Sequence, residues 1–234
     1  MAVYTKLSKD EINDFFSKYN LGKLLDYIGI KEGIENTNYY IKTEKGKFIL
    51  TLYEKRVDEK DLPFFMSLMK NLFDKKFPSP EPIINRNGNY ISEISGKKAA
   101  VVSFIKGSNK KNLNPNNCYE VGVQTAKLHL ITKKLTGKRK NQLSINSWKK
   151  IYQKIKNDCS KIDKKLPKII EMNLNEIENN WPKNIPSGII HADLFPDNIF
   201  FDGEKLTGII DFYFSCNDFY AFEIAICLNA LCFE

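Results

Sequence analysis

Strand-like alternation dominates the first part of this chain, and helical periodicity dominates the second. Ser8 and Glu11 have capping-box spacing, and Ile12, Phe15, Phe16 and Tyr19 follow at helical intervals, which predicts a helix ending near Gly22. Runs over 24–30, 37–43 and 47–53 read as strands, the last two joined by a turn through Glu44, Lys45 and Gly46. Asp61 and Pro63 open a second helix carrying Leu62, Phe65, Met66, Met69, Leu72 and Phe73 on its apolar side. Pro78, Pro80 and Pro82 close it. Asn87-Gly88, set between Ile83-Ile84 and Tyr90-Ile91, predicts a hairpin, and residues 98–105 a further strand.

A polar, proline-containing connector over 107–117 divides the chain into an N-terminal lobe, 1–106, and a C-terminal lobe, 107–234. Beyond it, Cys118, Val121, Thr125 and Leu128 mark one helical stripe, and residues 145–162 and 166–181 two more helices. One stretch, 188–214, breaks the helical pattern with short apolar strands and a hairpin turning at Asp202-Gly203. An apolar helix over 219–233 follows. The expected class is α+β: an antiparallel sheet plus helix in the first lobe, and a mainly helical second lobe with a small β hairpin.

Composition narrows the function. A chain of 234 residues that is 42% hydrophobic can bury a real core. Its 36 Lys+Arg against 28 Asp+Glu give a net charge of +8, spread as lysines among asparagines. That pattern reads as a solvated face rather than a nucleic-acid surface, and it also attracts nucleotides. Five cysteines without a C-x-x-C pair argue for free thiols in a reducing compartment and against a zinc site. The first residues show no secretory core, and no apolar window reaches membrane-spanning length, so a cytoplasmic protein with no membrane partner is expected.

The chemistry concentrates in 188–214. Asp193, Asn198 and Asp211 are embedded among Ile189, Ile190, Ile199, Phe200, Phe201 and Ile210. Burying carboxylates in such company costs several kcal/mol unless a cation or hydrogen bonds compensate. An Asp and an Asn offering oxygens to a hard divalent cation, with open positions left for phosphate, is the pattern of Mg²⁺ bound with a nucleotide. A remaining carboxylate, Asp193, is then free to orient an acceptor hydroxyl and take its proton. Asp197 and Asp202 read as turn residues, His129 as a packing or capping residue, and Cys216 as a small apolar filler.

The run His191-Ala192-Asp193-Leu194-Phe195-Pro196-Asp197-Asn198 resembles the H-x-D-L-x-x-x-N catalytic loop of the protein-kinase-like superfamily. Asp211-Phe212-Tyr213 is similar to its metal-binding D-F-G element, with Tyr in third place as in the aminoglycoside phosphotransferase and choline kinase branch. Segments 33–39, 48–55, 62–65 and 210–218 resemble the homoserine kinases of this fold. The resemblance implies a bilobal protein-kinase-like fold, ATP and Mg²⁺ as cofactors, L-homoserine as acceptor, and a place in threonine biosynthesis. Choline, an aminoglycoside or methylthioribose stand as alternative acceptors, and a weakly active nucleotide-binding pseudokinase as an alternative function.

Carried onto this sequence, the resemblance makes Asp193 the catalytic base and Asn198 and Asp211 the Mg²⁺ ligands, with His191 bracing the loop. Glu35, Asn36, Thr37 and Asn38 would form the turn over the ATP phosphates, and Thr51, Phe104 and Ile105 would also line the nucleotide site. Tyr213, Asn217 and Asp218 fall on the acceptor side, Asp218 doubling as the cap of the last helix. Related kinases carry a Lys or Arg where Thr51 stands; Lys47 and Lys55, sharing its strand parity, are expected to replace it ahead of Arg56, with Asp61 as partner. Homoserine kinases of this type continue for several more helices. The apolar helix over 219–233 suits burial on every side, so the expectation is a fragment; cover from another subunit and an exposed apolar patch are the other possibilities.

Overall fold

Aromatic and branched side chains alternating with polar ones build the first half of the molecule, seen in a computed structural model that describes residues 3–33, 35–54 and 56–232. Helix α1 (Lys9–Ser17) is opened by the expected capping box, in which Ser8 and Glu11 satisfy each other's backbone N–H groups. It stops short of Gly22: the N–H groups of Lys18 and Tyr19 bond the carbonyls of Phe15 and Phe16, tightening the last turn, while Tyr19 and Leu21 reach the core from the loop. Strands β1 (Leu24–Gly29), β2 (Thr37–Thr43) and β3 (Gly46–Leu52) form an antiparallel meander. Helix α2 (Leu62–Asp74) follows, with Pro63 in its first turn, and then β4 (Pro82–Ile83), β5 (Ile91–Ile94) and β6 (Lys97–Ser103).

The sheet runs β1-β2-β3-β6-β4, with β5 also on β6. The turn at Asn87-Gly88 is made, Gly88 taking φ +81°, yet β4 and β5 do not pair with each other. Both pair with β6, whose C-terminal half takes β4 and whose N-terminal half takes β5. Strand β6 is buried on both faces: Ala99 and Val101 join a core closed by α1, and Ala100 and Val102 join a second core shared with α2 and the C-terminal half.

The second half contains β7 (Ser108–Asn109), α3 (Pro115–Thr132), α4 (Ile145–Ile162), α5 (Leu166–Asn180), β8 (Ser187–Ile190), β9 (Ile199–Asp202), β10 (Lys205–Ile209), β11 (Cys216–Phe219) and α6 (Tyr220–Leu231). The β9–β10 hairpin turns through Gly203 as expected, and β7 adds to its edge. Strand β11, which the sequence pattern did not announce, pairs with β8 and brings Asp218 into a strand. Helix α6 is capped instead by Phe219, without a side-chain bond. Gly208 carries the junction between the halves, because a Cβ there would meet Ile105 Cγ2 at 2.3 Å.

Helix α6 is not buried on every side. Glu223 is its one fully buried residue among those described, and Ile224 and Leu228 are about half exposed at 51% and 49%. Among the described residues no helix is long and apolar enough to cross a membrane, and all five cysteines are free. Residue 233, at the end of the expected last helix, lies outside the described residues.

Glu204, at the hairpin turn, ties the β9–β10 unit to the start of α3. Bonds from Lys110, Asn114 and Asn117 hold its carboxyl down to about 2. A carboxylate depressed on folding stabilises above its unfolded value and loses that contribution as pH falls toward the folded one. Glu204→Gln is therefore expected to lower the melting temperature at pH 7, with a gap to wild type that narrows steadily below pH 5 in thermal scans.

Candidate active site

Where β8 ends, the chain has to turn a polar loop back over apolar strands, and a buried carboxylate on α6 makes that possible. Glu223, fully buried, accepts hydrogen bonds from the N–H groups of His191 and Ala192, the latter at 3.0 Å. Ala192 takes φ +66°, a left-handed conformation that these two bonds help to hold. His191 is buried beneath the loop: its Nε2 bonds the carbonyl of Ile210 at 2.9 Å, and its Nδ1 accepts from the Asp193 N–H at 3.3 Å. Burial holds the imidazole below the usual histidine range, consistent with a neutral ring donating from Nε2. His129 stacks on Tyr220 with ring centroids 4.2 Å apart and also sets its Nε2 3.7 Å from the Glu223 carboxylate, so its place is more than packing.

The loop delivers Asp193 and Asn198 to one wall of a cavity of about 1110 Å³ between the sheet and the helical half. Asn198 Nδ2 donates to both the carbonyl and the carboxylate of Asp193, each at 2.8 Å, leaving Oδ1 as its acceptor atom. Asp211 lines the same cavity two residues past β10, with φ +62°. Burial, and then the charges of Asp193 and Glu35, push its carboxyl up to about 7. Burial likewise raises Asp193, against the pull of His191 and the Asn198 bond.

This donor set fits a divalent cation. A carboxyl raised by desolvation and by neighbouring carboxylates, beside a free amide oxygen, is relieved by a positive charge. Among the described residues no group of three or more His, Cys, Asp or Glu forms a ready-made metal site. A cation here would rest on Asn198 and Asp211 together with oxygens of a bound phosphate.

Of the nucleotide-side residues named from the sequence, Glu35, Asn36, Asn38, Thr51, Phe104 and Ile105 face this cavity. Thr37 does not. The alternation of β2 turns it to the other face, where its hydroxyl accepts from the N–H groups of Tyr4 and Thr5 and donates to Glu54. Thr51 bonds the Asn38 side chain at 2.7 Å, and Tyr53 bonds the Tyr213 hydroxyl at 3.0 Å. Lys47 stands outside the cavity with Nζ 5.9 Å from the Phe104 ring, and Lys55 lies outside the described residues. Arg56 faces the cavity and pairs with Glu35.

On the acceptor side Tyr213 lines the cavity, whereas Asn217 and Asp218 do not. They hold the segment that does. Asn217 exchanges bonds with the backbone of Arg139, and Asp218 accepts from Asn141 at 2.7 Å. Arg139 in turn bonds Asp61 at 2.5 Å and the carbonyls of Phe214 and Ser215. Asp61, expected to partner a strand lysine, is thus committed to Arg139, and it makes no cap bond to α2. Glu223 and Arg139 were not singled out as site groups on sequence grounds, whereas Arg56, named behind Lys47 and Lys55 as a replacement for the strand cation, lines the cavity. For Glu223 the signal was there: a lone carboxylate in an apolar helix is costly to bury without a partner.

An antiparallel sheet facing a helical half, with an Asp, Asn and Asp set around the cavity between them, defines a phosphotransferase of the kinase-like class. The chain belongs to the phosphotransferase enzyme family, whose model matches residues 26–234. It is 45% identical over all 234 residues to a homoserine kinase of Nitrobacter hamburgensis, covering 72% of that protein. Against a homoserine kinase of Bartonella tribocorum the identity is 47%, again over the whole chain, with 73% of the relative covered. Similar solved structures include an amicoumacin kinase complexed with AMP-PNP and Ca²⁺ (TM-score 0.74, 16% identity, 96% of this chain and 69% of that one). A spectinomycin phosphotransferase with ADP and spectinomycin matches at TM-score 0.72 and 13% identity, over 95% of this chain and 74% of that one.

Two variants probe the site's construction. Glu223→Gln places an amide N–H against a backbone N–H, and is expected to cost about 2 kcal/mol in denaturant unfolding and to speed amide exchange at His191 and Ala192. Asp211→Asn, measured without divalent cations, is expected to raise the melting temperature. Because the folded carboxyl sits above its unfolded value, the wild type loses stability as pH rises from about 4 to 7. The gain from Asn is therefore full above pH 7 and fades toward pH 4.

Proposed function

We propose that this chain is an ATP-dependent kinase that transfers the terminal phosphoryl group to the side-chain hydroxyl of L-homoserine, giving O-phospho-L-homoserine on the way to threonine. The observation that carries the reading is the meeting of Asp193, Asn198 and Asp211 around one cavity, in a chain 45–47% identical throughout to homoserine kinases. Residues 1–106 act as the nucleotide lobe and 107–234 as the acceptor lobe, a division supported by β7, which already pairs with β9. The same reading assigns a cytoplasmic, small-molecule enzyme without nucleic-acid or membrane partners.

In this mechanism the adenine end lies against the end of β6, near Phe104 and Ile105, and the phosphates lie under the turn at Glu35, Asn36 and Asn38. Asp193 accepts the hydroxyl proton as the homoserine oxygen bonds to the terminal phosphorus. The bond from that phosphorus to the bridging oxygen breaks, and its electron pair leaves with ADP. Asn198 and Asp211 would hold Mg²⁺, which when bound neutralises charge building on the phosphate oxygens. His191 and Glu223 fix the loop so that the Asp193 carboxylate meets the acceptor without reorganising.

A second reading, a nucleotide-binding pseudokinase, is favoured by one observation: neutral Thr51 stands where a phosphate-anchoring cation is expected. An ADP-release assay across homoserine, choline, aminoglycosides and methylthioribose separates the two. Turnover with homoserine is expected, and Asp193→Ala is expected to reduce kcat at least about 100-fold while ATP affinity stays within about twofold. Nucleotide binding without ADP release would favour the second reading, and turnover confined to another alcohol would replace homoserine as acceptor.

A further inference from the structure

Thr51 stands where related kinases carry a cation on the third strand. It lies within a neutral network, bonded to Asn38 at 2.7 Å and adjoining the paired hydroxyls of Tyr53 and Tyr213. The cavity is otherwise rich in negative charge. Among the described residues, five carboxylates line it, Glu32, Glu35, Asp193, Asp197 and Asp211, against two cations, Arg56 and Arg139. A polyphosphate brought there needs a positive group free to meet it.

Arg139 is already committed. Its guanidinium bonds Asp61 and the carbonyls of Phe214 and Ser215, lies 5.0 Å from the centre of the Phe65 ring, and keeps only 11% of its side chain exposed. Arg56 likewise has a carboxylate and an aromatic ring beside it, but differs in its exposure and, among the described residues, in making no bond to a backbone carbonyl. Its side chain is 53% exposed, its ion pair is with the Glu35 carboxylate, and its guanidinium lies 4.9 Å from the centre of the Phe214 ring. Its charge is also felt at Asp193. The head of Arg56 thus faces the cavity beside the turn assigned to the phosphates, and Asp193 lines the same cavity.

Resting on the kinase reading above, we propose that Arg56 is the cation that meets the transferred phosphoryl group, and that Glu35 holds it until the terminal phosphate of the nucleotide takes the carboxylate's place. A planar guanidinium pairs with either group through two parallel N–H donors, and a terminal phosphate brings more charge than a single carboxylate. Phe214 keeps the guanidinium in place during the exchange. Glu35 is then a counter-ion to Arg56 rather than a phosphate ligand, which removes the difficulty of a carboxylate in a phosphate-binding turn.

The test compares the affinities of Mg²⁺·AMP-PNP and Mg²⁺·ADP by calorimetry in wild type, Arg56→Gln, Arg56→Lys and Glu35→Gln, with kcat and KM measured alongside. Arg56→Gln is expected to weaken AMP-PNP at least about 10-fold, leave ADP within about twofold, and lower kcat on the order of 100-fold or more with little change in the KM for homoserine. Arg56→Lys should recover part of the AMP-PNP affinity. Glu35→Gln should tighten AMP-PNP without changing ADP, since the competing carboxylate is gone. Unchanged melting temperatures exclude misfolding at this exposed position. An AMP-PNP-to-ADP ratio in Arg56→Gln equal to that of wild type overturns the proposal. So does a loss confined to the KM for homoserine, which would make Arg56 a ligand of the acceptor. Wild-type protein that binds AMP-PNP but leaves homoserine unphosphorylated would overturn the acceptor assignment alone, and the binding ratio would still decide the role of Arg56.

Discussion

The site depends on one buried carboxylate. Glu223 reaches from α6 to the first two N–H groups of the loop after β8, and so fixes a left-handed turn at Ala192 that no strand or helix would hold. From that anchor the rest follows in sequence. His191 is locked between the loop and the carbonyl of Ile210, Asp193 is aimed into the cavity, and Asn198 returns to bond it. Asp211 then arrives from β10 into a region already carrying negative charge. The loop is held by these hydrogen bonds and by the burial of Leu194 in the core, and the charge it collects is left for a cation and a nucleotide to balance.

The same economy governs the N-terminal half. In place of a strand cation there is a chain of neutral hydroxyls and an amide, Asn38, Thr51, Tyr213 and Tyr53, which ties the sheet to the helical half through the D-F-Y segment. Aromatic packing of Tyr213 against Tyr53 and Phe65 reinforces that junction. Arg139 adds a second tie, joining Asp61 before α2 to the carbonyls at Phe214 and Ser215. The two halves are thus coupled at the cavity by buried groups, while Arg56 remains half exposed beside Glu35.

Much of this was legible in the sequence where local chemistry decides the outcome. Capping residues, Pro63, the turn at Gly203 and helical periodicity placed α1, α2, α4, α5 and the β9–β10 hairpin, because those elements depend on neighbours a few residues away. Long-range pairing was not legible. Asn87-Gly88 makes its turn, but whether flanking strands pair with each other or with β6 depends on a strand that arrives later in the chain. Strand β11 escaped notice for the same reason, since its partner β8 is distant and its residues Asn217 and Asp218 look like a loop. At the site, spacing identified the residues that converge, yet it could not say which face of β2 Thr37 would take, or that Asn217 and Asp218 would support the segment lining the cavity rather than line it themselves. Helix α6 was read from composition as suited to burial on every side, with an exposed apolar patch among the outcomes weighed, and which residues form its outward stripe, Ile224 and Leu228, is visible only once its packing face is known.

The central claim is that Asp193 and its neighbours transfer phosphate to an alcohol rather than to water. Phosphorus NMR of the protein mixed with ATP, Mg²⁺ and L-homoserine tests this directly. The expected spectrum loses the terminal ATP resonance and gains a phosphomonoester resonance in step with ADP, with the ester absent when homoserine is omitted. Growth of inorganic phosphate in place of the ester, or an unchanged ATP spectrum from folded protein, would contradict it.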